Sequence, residues 1–399
     1  MTSKDFKLRG TDLLHADDIF HTAEVAAGIS VTTTFRHDPD PEKDFTGREP
    51  TAQEVRDTKD HVYSRLSQPT YARAERVLSA INGGYALTYS SGLSATLAAL
   101  NFYQPKRIAI TGGYYGVHLV IDTWKRGRNL EIVDLDTDDY TGVDLCWVET
   151  PLNPTGEARN IQYYADKIHA VGGHLVIDAT FAPPPLQYPF KWGADMIMHS
   201  GSKYFGGHSD LLCGVLYVKT IDEWYELTNE RLRLGSVMGS LESWLLLRSL
   251  RTLHLRVPRQ SHNATVLAQW LHRVSKTPSG QTFDGVPGGL VAQVWHSSLQ
   301  GKDAKTWSPS LQQEGGGSPT FAILMEKPEH ATALPITLKY FTDATSLGGV
   351  ESLIEQRARS SPGEDPRLIR ISLGVEDVED LKEDFRRALN ELVQAKTKL

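Results

Sequence analysis

The 399-residue chain is poor in cysteine, with only Cys146 and Cys213. Two thiols cannot build a disulfide scaffold. Both lie in apolar surroundings (DLCWVE and LLCGVLYV), so buried, reduced thiols are expected. Long apolar runs are also missing: no stretch approaches the roughly 18 residues that a transmembrane helix needs. The opening MTSKDFKLRG lacks the apolar core of a secretory signal. An intracellular, cytoplasmic protein with no membrane partner is therefore expected. Basic charge is not in excess either. The 42 Lys and Arg against 49 Asp and Glu leave a formal charge of −7. A nucleic-acid partner, which demands a basic face, is not expected, nor is a metal site. Internal repeats and extended low-complexity segments are absent.

What is present is an alternation of short apolar runs with helical patterns. Residues 1 to about 60 read as polar and irregular, and HDPDPEKDFTGREP (37–50) as an exposed arm or loop. Strand-like runs follow in GYALTYSSG (84–92), RIAITGG (107–113), NLEIVDLD (129–136), DLCWVETP (144–151), HLVIDAT (174–180) and ADMIMHSGSK (194–203). Between them LSATLAALNFY (93–103), HLVIDTWKRG (118–127) and NIQYYADKIHAVGG (160–173) read as helices, the last ended by glycine. Such alternation implies an α/β fold, a mostly parallel central sheet covered by helices. The stretch 241–274 reads as one long helix broken near Pro258. EGGGSPT (314–320) reads as a loop. ESLIEQRA (351–358) and VEDLKEDFRRALNELVQAKT (378–397) read as two closing helices.

The chemistry-bearing residues lie at strand ends. Asp178 ends a buried apolar run, where a carboxylate is costly without a partner. Lys203 follows another such run, 25 residues on, between small hydroxyl residues and a glycine-rich turn. Alone, each has a plainer explanation: a helix-capping Asp and a surface Lys. Together they match what pyridoxal phosphate (PLP) requires. A carboxylate keeps the ring nitrogen protonated so that the ring can act as an electron sink. A lysine amine forms a Schiff base with the aldehyde. Ser200 and Ser202 are placed to hydrogen-bond the phosphate. Upstream, SSGLSATLAAL puts Gly92 and Leu93 at a helix start, where free N–H groups and the helix dipole favour an anion. Tyr115 offers an aromatic that could stack on a ring, and Asn153 ends a strand where α/β folds place ligand groups.

At this point the chain resembles the Cys/Met-metabolism PLP family, which includes cystathionine γ-synthases and lyases, methionine γ-lyases and O-acetylhomoserine sulfhydrylases. The similar segments include VYSRLSQPTYARAERVLSAINGG (62–84), SSGLSA (90–95), YYGVH (114–118), ETPLNPTG (149–156), VIDATFAPPPLQYP (176–189), HSGSKYFGGHSD (199–210), LLLRSLRTLHLR (245–256), SLGGVESLI (346–354) and RLIRISLGVED (367–377). They run in order from about residue 60 to the C-terminus. The resemblance implies the fold of type I PLP-dependent transferases, with an N-terminal arm (1–62) serving a neighbouring subunit. A large PLP-binding domain (63–245) and a smaller α+β C-terminal domain (246–399) would follow. It implies Lys203 as the Schiff-base lysine, Asp178 as partner of the ring nitrogen and Tyr115 as a stacking residue and acid or base. Gly92, Leu93, Ser200 and Ser202 become phosphate ligands. Tyr63 and Arg65 become a pair that reaches the neighbouring subunit's phosphate, which implies a homodimer or homotetramer. Arg370 becomes the grip on the substrate α-carboxylate, with Asn153 and Ser346 nearby.

Within the family, two departures bear on the reaction. Val62 and Thr345 stand where cystathionine synthases and γ-lyases usually carry acids, which suit a second amino-acid moiety. The segment EQRARSSPGEDPR (355–367) departs from the family's P-A-x-x-T-H pattern. The expected reaction is γ-replacement on an O-activated homoserine, such as O-acetyl-L-homoserine. The nucleophile would be sulfur or carbon but not cysteine, and carbon–carbon bond formation is included. The alternatives are a lyase acting on cystathionine, cysteine or methionine, and a catalytically silent relative.

Overall fold

The computed structural model describes residues 6–20, 23–37, 39–40, 49–301 and 307–396. Seven strands form the larger sheet: β1 (Tyr85–Tyr89), β2 (Arg107–Ala109), β3 (Glu131–Val133), β4 (Leu145–Glu149), β5 (His174–Asp178), β6 (Met196–Ser200) and β7 (Gly214–Val218). Their order across the sheet is β1-β7-β6-β5-β4-β2-β3. All neighbours are parallel except β7, which runs antiparallel to both β1 and β6. The inner strands are mostly apolar because both faces are covered, as parallel sheets require, whereas the edge strand β3 is largely exposed. Side chains alternate between two cores: Cys146, Val148 and Ile177 enter one, and Leu145, Trp147 and Val176 the other. The crossovers bring the carboxyl ends of β4, β5 and β6 to one edge, so Glu149, Asp178 and Ser200 become neighbours.

A short hairpin, β8 (Thr282–Phe283) with β9 (Val286–Pro287), precedes the second sheet. That sheet comprises β10 (Val291–Trp295), β11 (Thr320–Met325), β12 (Phe341–Asp343), β13 (Ser352–Gln356) and β14 (Leu368–Ser372), in the order β10-β11-β14-β13-β12. The helices Leu253–Ser275 and Val378–Lys396 pack with it around a third core. Leu253 and Val257 of the first of these helices belong to the large sheet's core, whereas Ala264 to Val274 belong to the third. One helix thus ties the two sheets together. Among the described residues no helix is long and apolar enough to cross a membrane. Cys146 and Cys213 are free and buried, as expected.

Three expectations need correction. ESLIEQRA does not form a helix: Ser352–Gln356 is a fully buried strand paired with β12 and β14. Short apolar runs do not separate buried strand from helix by periodicity, and here the sheet on both sides decides. The break in the long helix falls at Arg251 and Thr252, whereas Pro258 sits inside the helix Leu253–Ser275. The freed Ser249 carbonyl is capped by the Thr252 N–H and hydroxyl and by the Arg256 guanidinium. The N-terminal region is not irregular throughout. Gly10–His15 is helical and buries Leu13, and Ala52–Asp57 is helical behind a Thr51–Glu54 capping box, a T-x-x-E signal. Of the arm at 37–50, residues 38 and 41–48 lie outside the described residues; 37, 39, 40 and 49 are exposed.

The entry to the site is anchored by one buried ion pair. Glu75, on the helix Pro69–Asn82, accepts hydrogen bonds from the Thr88 N–H (2.7 Å) and hydroxyl (2.8 Å) and pairs with Arg231. Arg231 also donates to the Thr88 carbonyl at 2.7 Å. Two helices are thereby locked to β1, which leads directly into Ser91 and Gly92. Replacing Arg231 with leucine strands the Glu75 carboxylate in the interior. Such losses typically cost about 3–5 kcal/mol. The expected outcome is a lower urea unfolding midpoint; an unchanged midpoint would contradict the anchoring role.

Candidate active site

At the carboxyl edge of β4, β5 and β6 a cleft of about 530 Å³ opens. Asp178 and Glu149 stand side by side in register at the ends of β5 and β4. Asp178 accepts the Thr180 N–H at 3.0 Å and the Thr180 hydroxyl at 2.6 Å. Glu149 accepts the backbone N–H groups of Tyr114 and Asn153, each at 2.6 Å. Burial pushes the pKa of both carboxyls up, and the charge of Asp178 pushes Glu149 further; the hydrogen bonds oppose the shift. A cation bound against Asp178 would relieve part of this cost.

Lys203 lies in the turn after β6. Its ammonium donates to the Ser346 hydroxyl at 2.8 Å. Burial, with a contribution from the Arg370 charge, lowers its pKa to about 8. The turn is tight: a Cβ on Gly201 would stand 2.6 Å from Cys213 Sγ. Arg256 clamps it by donating to the Tyr204 carbonyl at 2.9 Å. From the other side comes the loop at 346–349, where a Cβ on Gly348 (φ +84°) would lie 2.9 Å from the carbonyl carbon of Lys203. Ser346 itself has φ 89°, a left-handed conformation that a non-glycine residue rarely adopts.

The helix Gly92–Tyr103 begins at the same cleft, N-capped by Ser91. Its first N–H groups have no partner within the helix. A Cβ on Gly92 would stand 3.4 Å from Ser200 Oγ, so Ser200 sits against the helix start. The Ser202 hydroxyl accepts the Cys213 N–H at 2.8 Å. On the opposite wall Arg370 is buried. It donates to Glu355 (2.8 Å), the Ser346 carbonyl (3.1 Å) and Asn153 Oδ1 (3.2 Å).

Ten residues singled out in the sequence meet in this one cleft: Gly92, Leu93, Tyr115, Asn153, Asp178, Ser200, Ser202, Lys203, Ser346 and Arg370 all line it. Tyr63 and Arg65 do not. They lie near each other on the exposed segment around residue 64, with Arg65 donating to the Leu232 carbonyl. The sequence reading missed Glu149, Thr180, Glu355, Arg357 and the clamp Arg256. Glu149 had a signal, an acid closing the apolar run LCWVE beside the strand of Asp178. Arg357 was hidden because its segment was read as helix.

The arrangement fits pyridoxal phosphate on structural grounds. A desolvated carboxylate would hold the ring nitrogen, a desolvated lysine the aldehyde carbon, and a helix start with two serines the phosphate.

Comparison with known proteins agrees. The model of the Cys/Met metabolism PLP-dependent enzyme family matches residues 10–390. Cystathionine gamma-lyase of Saccharomyces cerevisiae is 32% identical, over 82% of this chain and 87% of its own length. Cystathionine gamma-synthase/O-acetylhomoserine (thiol)-lyase of Bacillus subtilis is 29% identical, covering 92% of each chain. The solved structure of metB from Corynebacterium glutamicum superposes with a TM-score of 0.81 at 27% identity, over 98% of this chain and all of that one. A family match over nearly the whole length, with the fold and a cleft suited to the cofactor, gives one conclusion: the chain belongs to the Cys/Met metabolism family of PLP-dependent enzymes.

Proposed function

We propose that this enzyme performs γ-replacement on an O-activated L-homoserine, such as O-acetyl-L-homoserine, with a nucleophile other than cysteine. Arg370 binds the α-carboxylate, its guanidinium oriented by Asn153 and Glu355. Lys203 would hold the cofactor and its free amine would take the α-proton; its lowered pKa leaves much of that amine neutral near pH 8. Ser346 holds that amine in place. Asp178 keeps the ring nitrogen protonated, and Gly92, Leu93, Ser200 and Ser202 hold the phosphate. Tyr115, at the open side of the cleft, covers the ring and serves as acid or base. Tyr63 and Arg65, outside their own chain's cleft, serve the phosphate of a neighbouring subunit in a homodimer or homotetramer. Bound PLP supplies the electron sink that makes bonds at Cα labile.

One observation carries the choice of nucleophile. The cleft's outer wall presents Thr345, Arg357, Ser360 and Ser361. None carries the negative charge that would form an ion pair with the ammonium group of a cysteine or of the distal half of cystathionine. The lining carboxylates Asp178 and Glu149 are already engaged by Thr180 and by backbone N–H groups.

A second reading, a lyase releasing ammonia and a 2-oxo acid, has the relatives' names in its favour. Cystathionine gamma- and beta-lyases predominate among them, at 30–33% identity. By names alone elimination is better supported than replacement.

Mass spectrometry separates the two. Incubation with O-acetyl-L-homoserine and a panel of thiols and β-keto acids is expected to give adducts at Cγ. Rapid 2-oxobutyrate release that no nucleophile alters would defeat replacement in favour of the lyase. Lys203→Ala should lower turnover by roughly 10²–10⁴-fold, the span for losing a general base. A wild-type cofactor spectrum unmoved by any amino acid would indicate a silent relative. Cofactor loading should also depend on pH in a defined direction. Attachment needs the neutral amine, so the loading rate of the apoprotein should climb up to about pH 8 and level off above it. A rate still climbing steeply past pH 9.5 would show an ordinary lysine.

A further inference from the structure

The outer wall of the cleft sets two guanidiniums around a single carboxylate. Glu355 is shared by two guanidiniums, accepting from Arg370 at 2.8 Å and from Arg357 at 2.7 Å. Lys203 lies near enough for both Arg370 and Glu355 to influence it. Glu355 can neutralise only one of the two arginines. The substrate α-carboxylate, bound at Arg370, would neutralise the other. Charge is then balanced, with Glu355 opposite Arg370 in strand register, and what remains unmet is hydrogen bonding. A buried guanidinium is costly without a full complement of partners.

Arg357 shows the shortfall in its hydrogen bonds. It is 7% exposed, lines the cleft, and its Nε–H has no acceptor among the described residues. Of its five N–H donors, Nη1 serves Glu355 and Ser360 (3.2 Å) and Nη2 serves Ser361. Both serines also line the cleft. A hydroxyl that accepts from an arginine keeps its own proton to donate. Two hydroxyl donors and a guanidinium on one wall form a receptor for a planar anion. The strand–turn that builds it is Glu355 to Ser361.

We infer that Arg357, Ser360 and Ser361 form a second carboxylate site, which takes a carboxylate on the group that leaves or enters at the substrate's side-chain end. The inference rests on the reading of this cleft as an amino-acid site and specifies its co-substrate class. Arg357 is there a binding residue, distinct from the Arg370 grip on the α-carboxylate.

The direct test is calorimetric titration of the PLP-loaded enzyme with unreactive amino acids. L-Glutamate, L-2-aminoadipate and L-2-aminopimelate are compared with apolar chains of equal length, norleucine for aminoadipate. At least one dicarboxylate should bind roughly 10–100-fold more tightly than its apolar counterpart, the range for charge-assisted hydrogen bonds. Arg357→Gln should remove that preference, and Arg357→Lys should keep part of it. Ser360→Ala with Ser361→Ala should weaken it in a second background, so the test survives a poorly folded arginine variant. Two kinetic pairs identify the source of the carboxylate. O-succinyl- against O-acetyl-L-homoserine tests the leaving group, and 3-mercaptopropionate against 1-propanethiol tests the nucleophile. Arg357→Gln should depress kcat/KM for the carboxylate member of one pair relative to its neutral partner. No preference in the wild type, or a preference undiminished in Arg357→Gln, overturns the site. The two failures are distinct: apolar amino acids that bind without any dicarboxylate preference leave the amino-acid reading standing, whereas no binding by any of them ends both.

Discussion

The whole site depends on removing ionisable groups from water at one sheet edge. Asp178 and Glu149 sit next to each other at the ends of parallel strands, and Lys203 and Arg370 face them across the cleft. Desolvation drives the carboxyls up, and drives Lys203 down to about 8 and Arg370 to about 10. Each shift is a stored cost that a complementary charge can relieve. A protonated ring nitrogen suits Asp178, an aldehyde suits a partly neutral lysine, and an α-carboxylate suits Arg370.

The second sheet supplies the other half of this environment. Its loop at 346–349 reaches the Lys203 turn so closely that Gly348 has no room for a side chain. Ser346 pays for its position with a left-handed backbone, a strain of about 1–3 kcal/mol. What the strain secures is a hydroxyl on the Lys203 amine and a carbonyl on Arg370. Arg256, from the helix that ties the two cores together, completes the clamp on the turn. The Lys203 turn is thus held by residues distant in the chain, Ser346 standing 143 positions from Lys203 and Arg256 52 from Tyr204.

The large sheet was legible in the sequence because its strands are short apolar runs separated by clear helical patterns. Most of the cleft was legible too, since Asp178, Lys203, Gly92 and Ser200 follow strand ends in chain order. Legibility failed where tertiary packing overrode a local pattern. ESLIEQRA carries enough spaced apolar residues to look helical, yet two neighbouring strands draw it into the sheet. With that error went Glu355, which faces Arg370 only in strand register, and Arg357, which pairs with Glu355. Glu149 was overlooked for another reason: the pairing of β4 with β5 that sets it beside Asp178 is a contact across the sheet. Tyr63 and Arg65 were read from resemblance alone, and within one chain they stand away from the cleft.

The central claim is that a desolvated amine at position 203 holds the cofactor opposite Asp178. Borohydride reduction of the PLP-reconstituted protein, followed by peptide mapping, tests it most directly. The account predicts a single reduced pyridoxyl adduct, on Lys203. An adduct confined to other lysines, or none, would contradict it.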